Sequence, residues 1–181
     1  MAGIVIYGSQ YGTAREYAEE LASRTALEAH AYDVVGSISE YDTIAYIGAL
    51  YAGGVLGLKK TFSKFSHCEG KTIVIATVGL ADPMDMKNVA HIEDGMRRQL
   101  SGEVLAHARL FHLRGGIDYT ELGFKHRTMM KLLYNKAKNL PEEQKNAEVR
   151  AMIETYGKRV SFVDFDSLDP IVAALEGSSV R

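Results

Sequence analysis

Tyr7-Gly8-Ser9-Gln10-Tyr11-Gly12-Thr13-Ala14-Arg15 decides how this chain is read. It follows a short apolar run, Ile4-Val5-Ile6, and precedes a segment with helical spacing at Ala18, Leu21, Ala22 and Ala26. A hydrophobic strand that passes through small and hydroxyl residues into a helix makes a phosphate site. The first helical turn leaves backbone N–H groups free at the positive end of the helix dipole. Ser9 and Thr13 add hydroxyl donors, and Gly8 and Gly12 permit a tight turn. No Lys stands in the turn, which excludes a nucleoside-triphosphate loop, and the spacing is not the Gly-x-Gly-x-x-Gly of a dinucleotide turn. A neutral cradle of hydroxyls and amides suits the terminal phosphate of a mononucleotide. The plain alternative is a strand–helix turn whose Ser and Thr merely cap the helix.

Outward from this turn, apolar runs alternate with helical patterns, the signature of a parallel sheet covered on both faces. The pattern predicts strands over 2–7, 28–35, 43–50, 71–78 and 103–113, the last from the alternation of Val104, Ala106, Ala108 and Leu110. It predicts helices over 13–27, 57–66, 88–100 and 168–175, and a short extended piece at 162–165. Strands one, three and four each run into a turn of small residues, at 9–14, 49–54 and 77–82. In an open parallel sheet those turns share the carboxyl edge, where ligands bind at the switch point. Three such loops fit a planar ring entering between backbones. Tyr51 either contacts that ring or is an ordinary exposed loop aromatic.

The 181 residues can bury one sizeable core and are expected to form a single domain over 1–181. A formal net charge of −2 gives no global attraction to nucleic acid. Cys68 is the lone cysteine, so an internal disulfide is excluded and a reduced, cytoplasmic thiol is the economical expectation. The N-terminus lacks a signal-peptide pattern, and no run reaches the ~20 apolar residues that span a bilayer. The six histidines lack metal-ligand spacing, so no metal is expected and they read as structural or surface residues. No catalytic acid, base or nucleophile stands out. Asp82-Pro83 and Asp85 look like a turn, and adjacent His67 and Cys68 do not face each other on a helix.

The run Ser9-x-x-Gly12-Thr13, the Gly-rich loop after strand three and the Thr77 loop after strand four together resemble the flavodoxin family. The resemblance covers most of residues 2–113 and resumes near residue 160. It implies an α/β flavodoxin-like fold, a doubly wound five-stranded parallel sheet of order 2-1-3-4-5, with FMN as the cofactor. By this resemblance Ser9, Gln10, Tyr11, Gly12, Thr13 and Ala14 bind the phosphate. Leu50, Tyr51, Ala52, Gly53 and Gly54 on one side, and Thr77, Val78, Gly79, Leu80 and Asp82 on the other, flank the isoalloxazine ring. Tyr11 and Ala14 stand where hydroxyl residues are common in that family.

Residues 114–159 are extra, and the segment is too long for a structureless loop. Two helical patterns fill it. The first, about 119–139, places Met129, Met130, Leu133, Tyr134 and Ala137 on one stripe, with Lys125, Arg127, Lys131, Lys136 and Lys138 elsewhere on it. The second, 141–158, opens with Pro141-Glu142-Glu143, mixes charges and reads as solvated. A basic helix with a Met/Leu face either meets a membrane surface or an acidic partner, or packs its stripe on its own domain. Gly115-Gly116-Ile117-Asp118-Tyr119 followed by Arg127-x-Met129-Met130-Lys131-Leu132-Leu133 resembles the insert of the flavodoxin-like protoporphyrinogen oxidases, which are FMN-dependent and quinone-linked. That resemblance implies an oxidoreductase taking electrons from a small-molecule substrate such as a porphyrinogen and passing them to a quinone; peripheral membrane contact through the basic helix 119–139 is one of the two readings of that helix. The alternative is a flavodoxin carrying electrons between redox proteins. A third is a flavin-free interaction module.

Overall fold

The structure, a computed structural model, describes residues 2–177. In chain order it contains β1 (Gly3–Gly8), α1 (Thr13–Thr25), β2 (Ala29–Ala31), β3 (Thr43–Tyr51), β4 (Gly54–Val55), α2 (Leu58–Phe62), β5 (Thr72–Gly79), α3 (Met86–Arg97) and α4 (Gly102–His107). Then follow β6 (Arg109–Arg114), β7 (Gly116–Asp118), α5 (Phe124–Lys138), α6 (Ala147–Thr155), β8 (Arg159–Ser161) and α7 (Asp169–Glu176). The five parallel strands lie in the order β2-β1-β3-β5-β6. This is the expected doubly wound 2-1-3-4-5 arrangement once the short antiparallel β4, hairpinned onto β3, is set aside.

Period-two alternation along the strands splits the core into two layers. Ile4, Ile6, Ile44, Tyr46, Ile73 and Ile75 meet Leu58, Phe62, Met96 and Val104 on the face covered by α2, α3 and α4. Val5, Ala45, Ile47, Val74, Ala76 and Val78 meet Tyr17, Ala18 and Leu21 of α1 and Ile171, Ala174 and Leu175 of α7 on the other. The register is level at the carboxyl end, with Gly8 beside Gly48 and Gly48 beside Thr77. The three small-residue turns therefore leave the sheet from one edge.

Several expected elements change. Residues 103–113 are not one strand: 102–107 form α4, and the strand begins at Arg109. Ser101 caps that helix by accepting from the Val104 N–H at 3.3 Å, and an alternation of Val and Ala does not outweigh a good cap. The strand expected over 28–35 shortens to the edge strand β2, and the helix over 57–66 to α2. The first insert helix starts only at Phe124, because the Asp118 carboxylate accepts from the Thr120 N–H and holds a turn there. Pro141 opens a 3-10 turn, and α6 begins after Asn146, which accepts from the Val149 N–H at 2.9 Å. Extended pairing falls at 159–161 rather than 162–165, where β8 runs antiparallel to β7.

The insert is anchored at its neck. The buried Tyr17 hydroxyl donates to the Arg114 carbonyl at 2.8 Å and accepts from the Asp164 N–H at 2.9 Å. One side chain of α1 thus ties the chain where it enters the insert to the chain where it leaves. Tyr17→Phe strands both partners without changing shape, so it should cost about 1–3 kcal/mol in urea unfolding. An unchanged midpoint would remove this clasp from the fold.

Candidate functional site

At the carboxyl edge lies a cavity of about 490 Å³, within the roughly 300–1,000 Å³ of small-molecule sites. Tyr11 and Thr13 line it from the first loop. Leu50, Tyr51, Ala52, Gly53 and Gly54 line it from the β3–β4 hairpin, and Val78, Gly79 and Leu80 from the end of β5. The hairpin turns on Ala52 and Gly53, both at positive φ (51° and 79°), which matches the twist of a two-residue turn.

The remaining expected site residues sit beside this cavity rather than in its wall. Ala14 is fully buried against the sheet. Thr77 is 1% exposed and turns toward α3, its hydroxyl 2.8 Å from His112 Nδ1. Burial pushes the His112 imidazole below its ordinary value, opposed by Glu93 at 3.8 Å. Asp82 accepts from the Met84 N–H at 2.9 Å and shapes the turn into α3. Ser9, Gln10 and Gly12 form the first loop itself. Gly12 has φ of 100°, a conformation that favours glycine, and its N–H donates to Ser9 Oγ at 3.1 Å. No side chain caps α1. The capping explanation for Ser9 and Thr13 therefore fails, and the first-turn amides of α1 remain free to serve an anion.

The insert builds the fourth wall. Met129, Met130 and Leu133 of α5 line the cavity, as do Asn146, Glu148, Val149 and Met152 in and beside α6. The Tyr11 hydroxyl lies 3.6 Å from Met130 sulfur and the Tyr51 hydroxyl 3.7 Å from Met129 sulfur. The Met stripe thus packs inward on its own fold, and α6, expected to be solvated, contributes to the wall. The Glu148 carboxylate accepts from the Leu80 and Ala81 N–H groups, each at 3.0 Å, and so pins the third loop to α6. Sequence reasoning missed Glu148 because a mixed-charge helix does not reveal which acid turns inward. Burial, with Tyr51 second, raises the Tyr11 phenol above its ordinary value. Burial and then Tyr11 and Tyr156 push Tyr119 up to about 12, and its hydroxyl is buried without a partner.

Two histidines read as ordinary also reach the site. His91 of α3 lines the cavity, and His126 of α5 stands over the first loop, 2.9 Å from the Gln10 side-chain amide. Among the described residues no group of three or more His, Cys, Asp or Glu is placed to hold a metal, and no helix is long and apolar enough to cross a membrane.

These residues fit FMN. Hydroxyls and uncapped helix amides suit the phosphate, and the apolar slot between the hairpin, the end of β5 and the insert suits a planar ring. The chain belongs to the flavodoxin-domain family, whose model matches residues 4–144. Similar solved structures are a cysteine-to-alanine mutant of flavodoxin from Pseudomonas aeruginosa and a conjectured flavoprotein from Bacteroides uniformis. The first is 21% identical over 73% of this chain and 93% of that chain, with a TM-score of 0.40. The second is 15% identical over 72% and 99%, with a TM-score of 0.45. No curated protein matches the chain. Family and fold together support a flavodoxin-like flavoprotein.

Glu148→Ala removes the acceptor of two backbone N–H groups and should lower stability by about 1–3 kcal/mol in urea unfolding. Glu148→Gln keeps one acceptor oxygen and should lose less. Equal stability of all three proteins would mean that Glu148 does not hold the loop.

Proposed function

We propose that the protein is an FMN-dependent oxidoreductase of the protoporphyrinogen-oxidase-like type, linked to a quinone. The carrying observation is the insert wall: Met129, Met130 and Leu133 line the cavity, and Met129 and Met130 hold the insert against Tyr51 and Tyr11 of the first two loops. A carrier between redox proteins needs a cofactor edge that a protein surface can approach. A slot walled by methionine and leucine instead favours a small-molecule reactant with a largely apolar body. FMN bound there would supply acceptance of two electrons from the reduced substrate and their donation to a quinone. The protein's part is to hold the phosphate at the first loop, sandwich the ring and exclude water with the insert.

The porphyrinogen reading draws its support from the insert motif Gly115 to Tyr119. Helix α5 exposes Phe124 (88%) and Leu132 (66%) among five basic residues and no acid. That outer face favours an anionic membrane surface, where a quinone would be met and where a cytoplasmic protein would dock peripherally.

With FMN loaded, protoporphyrinogen IX and a soluble quinone analogue should support steady turnover without any partner protein. A requirement for a reductase partner would return the carrier reading. A lipid-soluble quinone in anionic vesicles should be reduced faster than in zwitterionic ones, and equal rates would remove the membrane contact.

A further inference from the structure

The first loop has few polar side chains of its own to offer an anion. Ser9 and Thr13 are its hydroxyls, and the Tyr11 hydroxyl is turned away toward Met130. Arg15, the neighbouring cation, is drawn to Glu19 at 2.6 Å. Glu16, in the first turn of α1, lies close to Gly12 and works against a negative charge there. A partner that favours a phosphate has to come from elsewhere in the chain.

The insert brings one. His126 is the third residue of α5, and its Nε2 lies 2.9 Å from the Gln10 side-chain nitrogen, with its ring edge-on to Tyr11 at 6.2 Å between centroids. The two ends of an Asn or Gln amide are assigned from the bonding around them, so the imidazole either accepts from Gln10 or donates to it. In both cases the half-buried His126 packs beside Gln10 and Tyr11 of the first loop. His126 itself stands in the first turn of α5, whose positive dipole end favours an anion beside it.

The geometry points to His126 as a phosphate ligand supplied by the insert: the imidazole exchanges its Nε2 contact with Gln10 for a hydrogen bond donated from Nε2–H to the terminal phosphate of the bound mononucleotide. This rests on the FMN reading above and extends it. The insert then has two roles at one site, walling the ring with methionines and completing the phosphate cradle with a histidine. Cofactor binding would also tie α5 down, since the phosphate would bridge the first loop and the helix.

The test compares FMN with riboflavin, which carries the same ring without the phosphate. Dissociation constants are measured by flavin fluorescence for the natural protein, His126→Ala and His126→Asn. His126→Ala should weaken FMN by roughly ten- to hundred-fold, the range of one charge-assisted hydrogen bond, and leave riboflavin unchanged. His126→Asn, which keeps a donor, should fall between. If riboflavin binds too weakly to measure, the phosphorus resonance of bound FMN decides: it should shift in His126→Ala while the visible flavin bands stay in place. Equal weakening of both flavins would reduce His126 to docking α5 and overturn the proposal. So would an unchanged FMN affinity, or an unchanged phosphorus resonance. A natural protein that binds neither flavin would overturn the FMN reading together with this inference, whereas one that binds FMN with an indifferent His126 overturns this inference alone.

Discussion

The site depends on a clasp that lies outside it. The Tyr17 hydroxyl joins the Arg114 carbonyl to the Asp164 N–H and so closes the neck of the insert against α1. Around it the backbone continues the closure. The Gly115 N–H donates to the Gly79 carbonyl at 2.7 Å, and the Phe162 N–H donates to the Gly115 carbonyl at 3.1 Å. Arg114 adds a bond from Nε to the Leu80 carbonyl at 2.9 Å and lays its guanidinium 3.7 Å from the Phe162 ring centroid. Without a fixed neck, α5 and α6 would have no defined position over the sheet edge. Gly115 shows how tight this closure is, since a Cβ there would come within 2.6 Å of Val78 and 2.8 Å of Thr13.

With the neck fixed, the insert forms a small core of its own against the carboxyl edge. Ile117, Tyr119, Leu122 and Met130 are buried together, with Tyr11, Leu80, Met129 and Met152 packed against them. Tyr156 links this cluster outward, edge-on to Tyr119 and stacked on Tyr134 at 4.0 Å. The carboxyl-edge loops and the insert therefore share one set of apolar contacts, and a change in either is felt by the other. That coupling separates this arrangement from a bare sheet edge, where a ring would sit open to any protein surface.

Much of the sheet is legible in the chain, because Ile4-Val5-Ile6, Ile44 to Ile47 and Ile73 to Ala76 are near-continuous apolar runs that only doubly covered strands carry. The loops after them are legible for the same reason, since small residues at strand ends have few other uses in this topology. The alternation at Val104 and Ala106 misleads, because such residues fit a short helix with a serine cap as well as a strand. His126 and Glu148 are illegible. Each is an ordinary polar residue on a helix, and only the closure of the neck decides that one meets Gln10 and the other the Leu80 and Ala81 amides. Long-range pairings of this kind leave no periodic trace in a sequence.

Adding FMN to the purified protein, removing the excess and recording the visible absorption spectrum tests the site most directly. A mononucleotide held by the first loop and enclosed between the hairpin, β5 and the insert predicts retained flavin bands, with the sharpened shoulders of a ring out of water. A protein that stays colourless after the same treatment would contradict a flavin site at this edge.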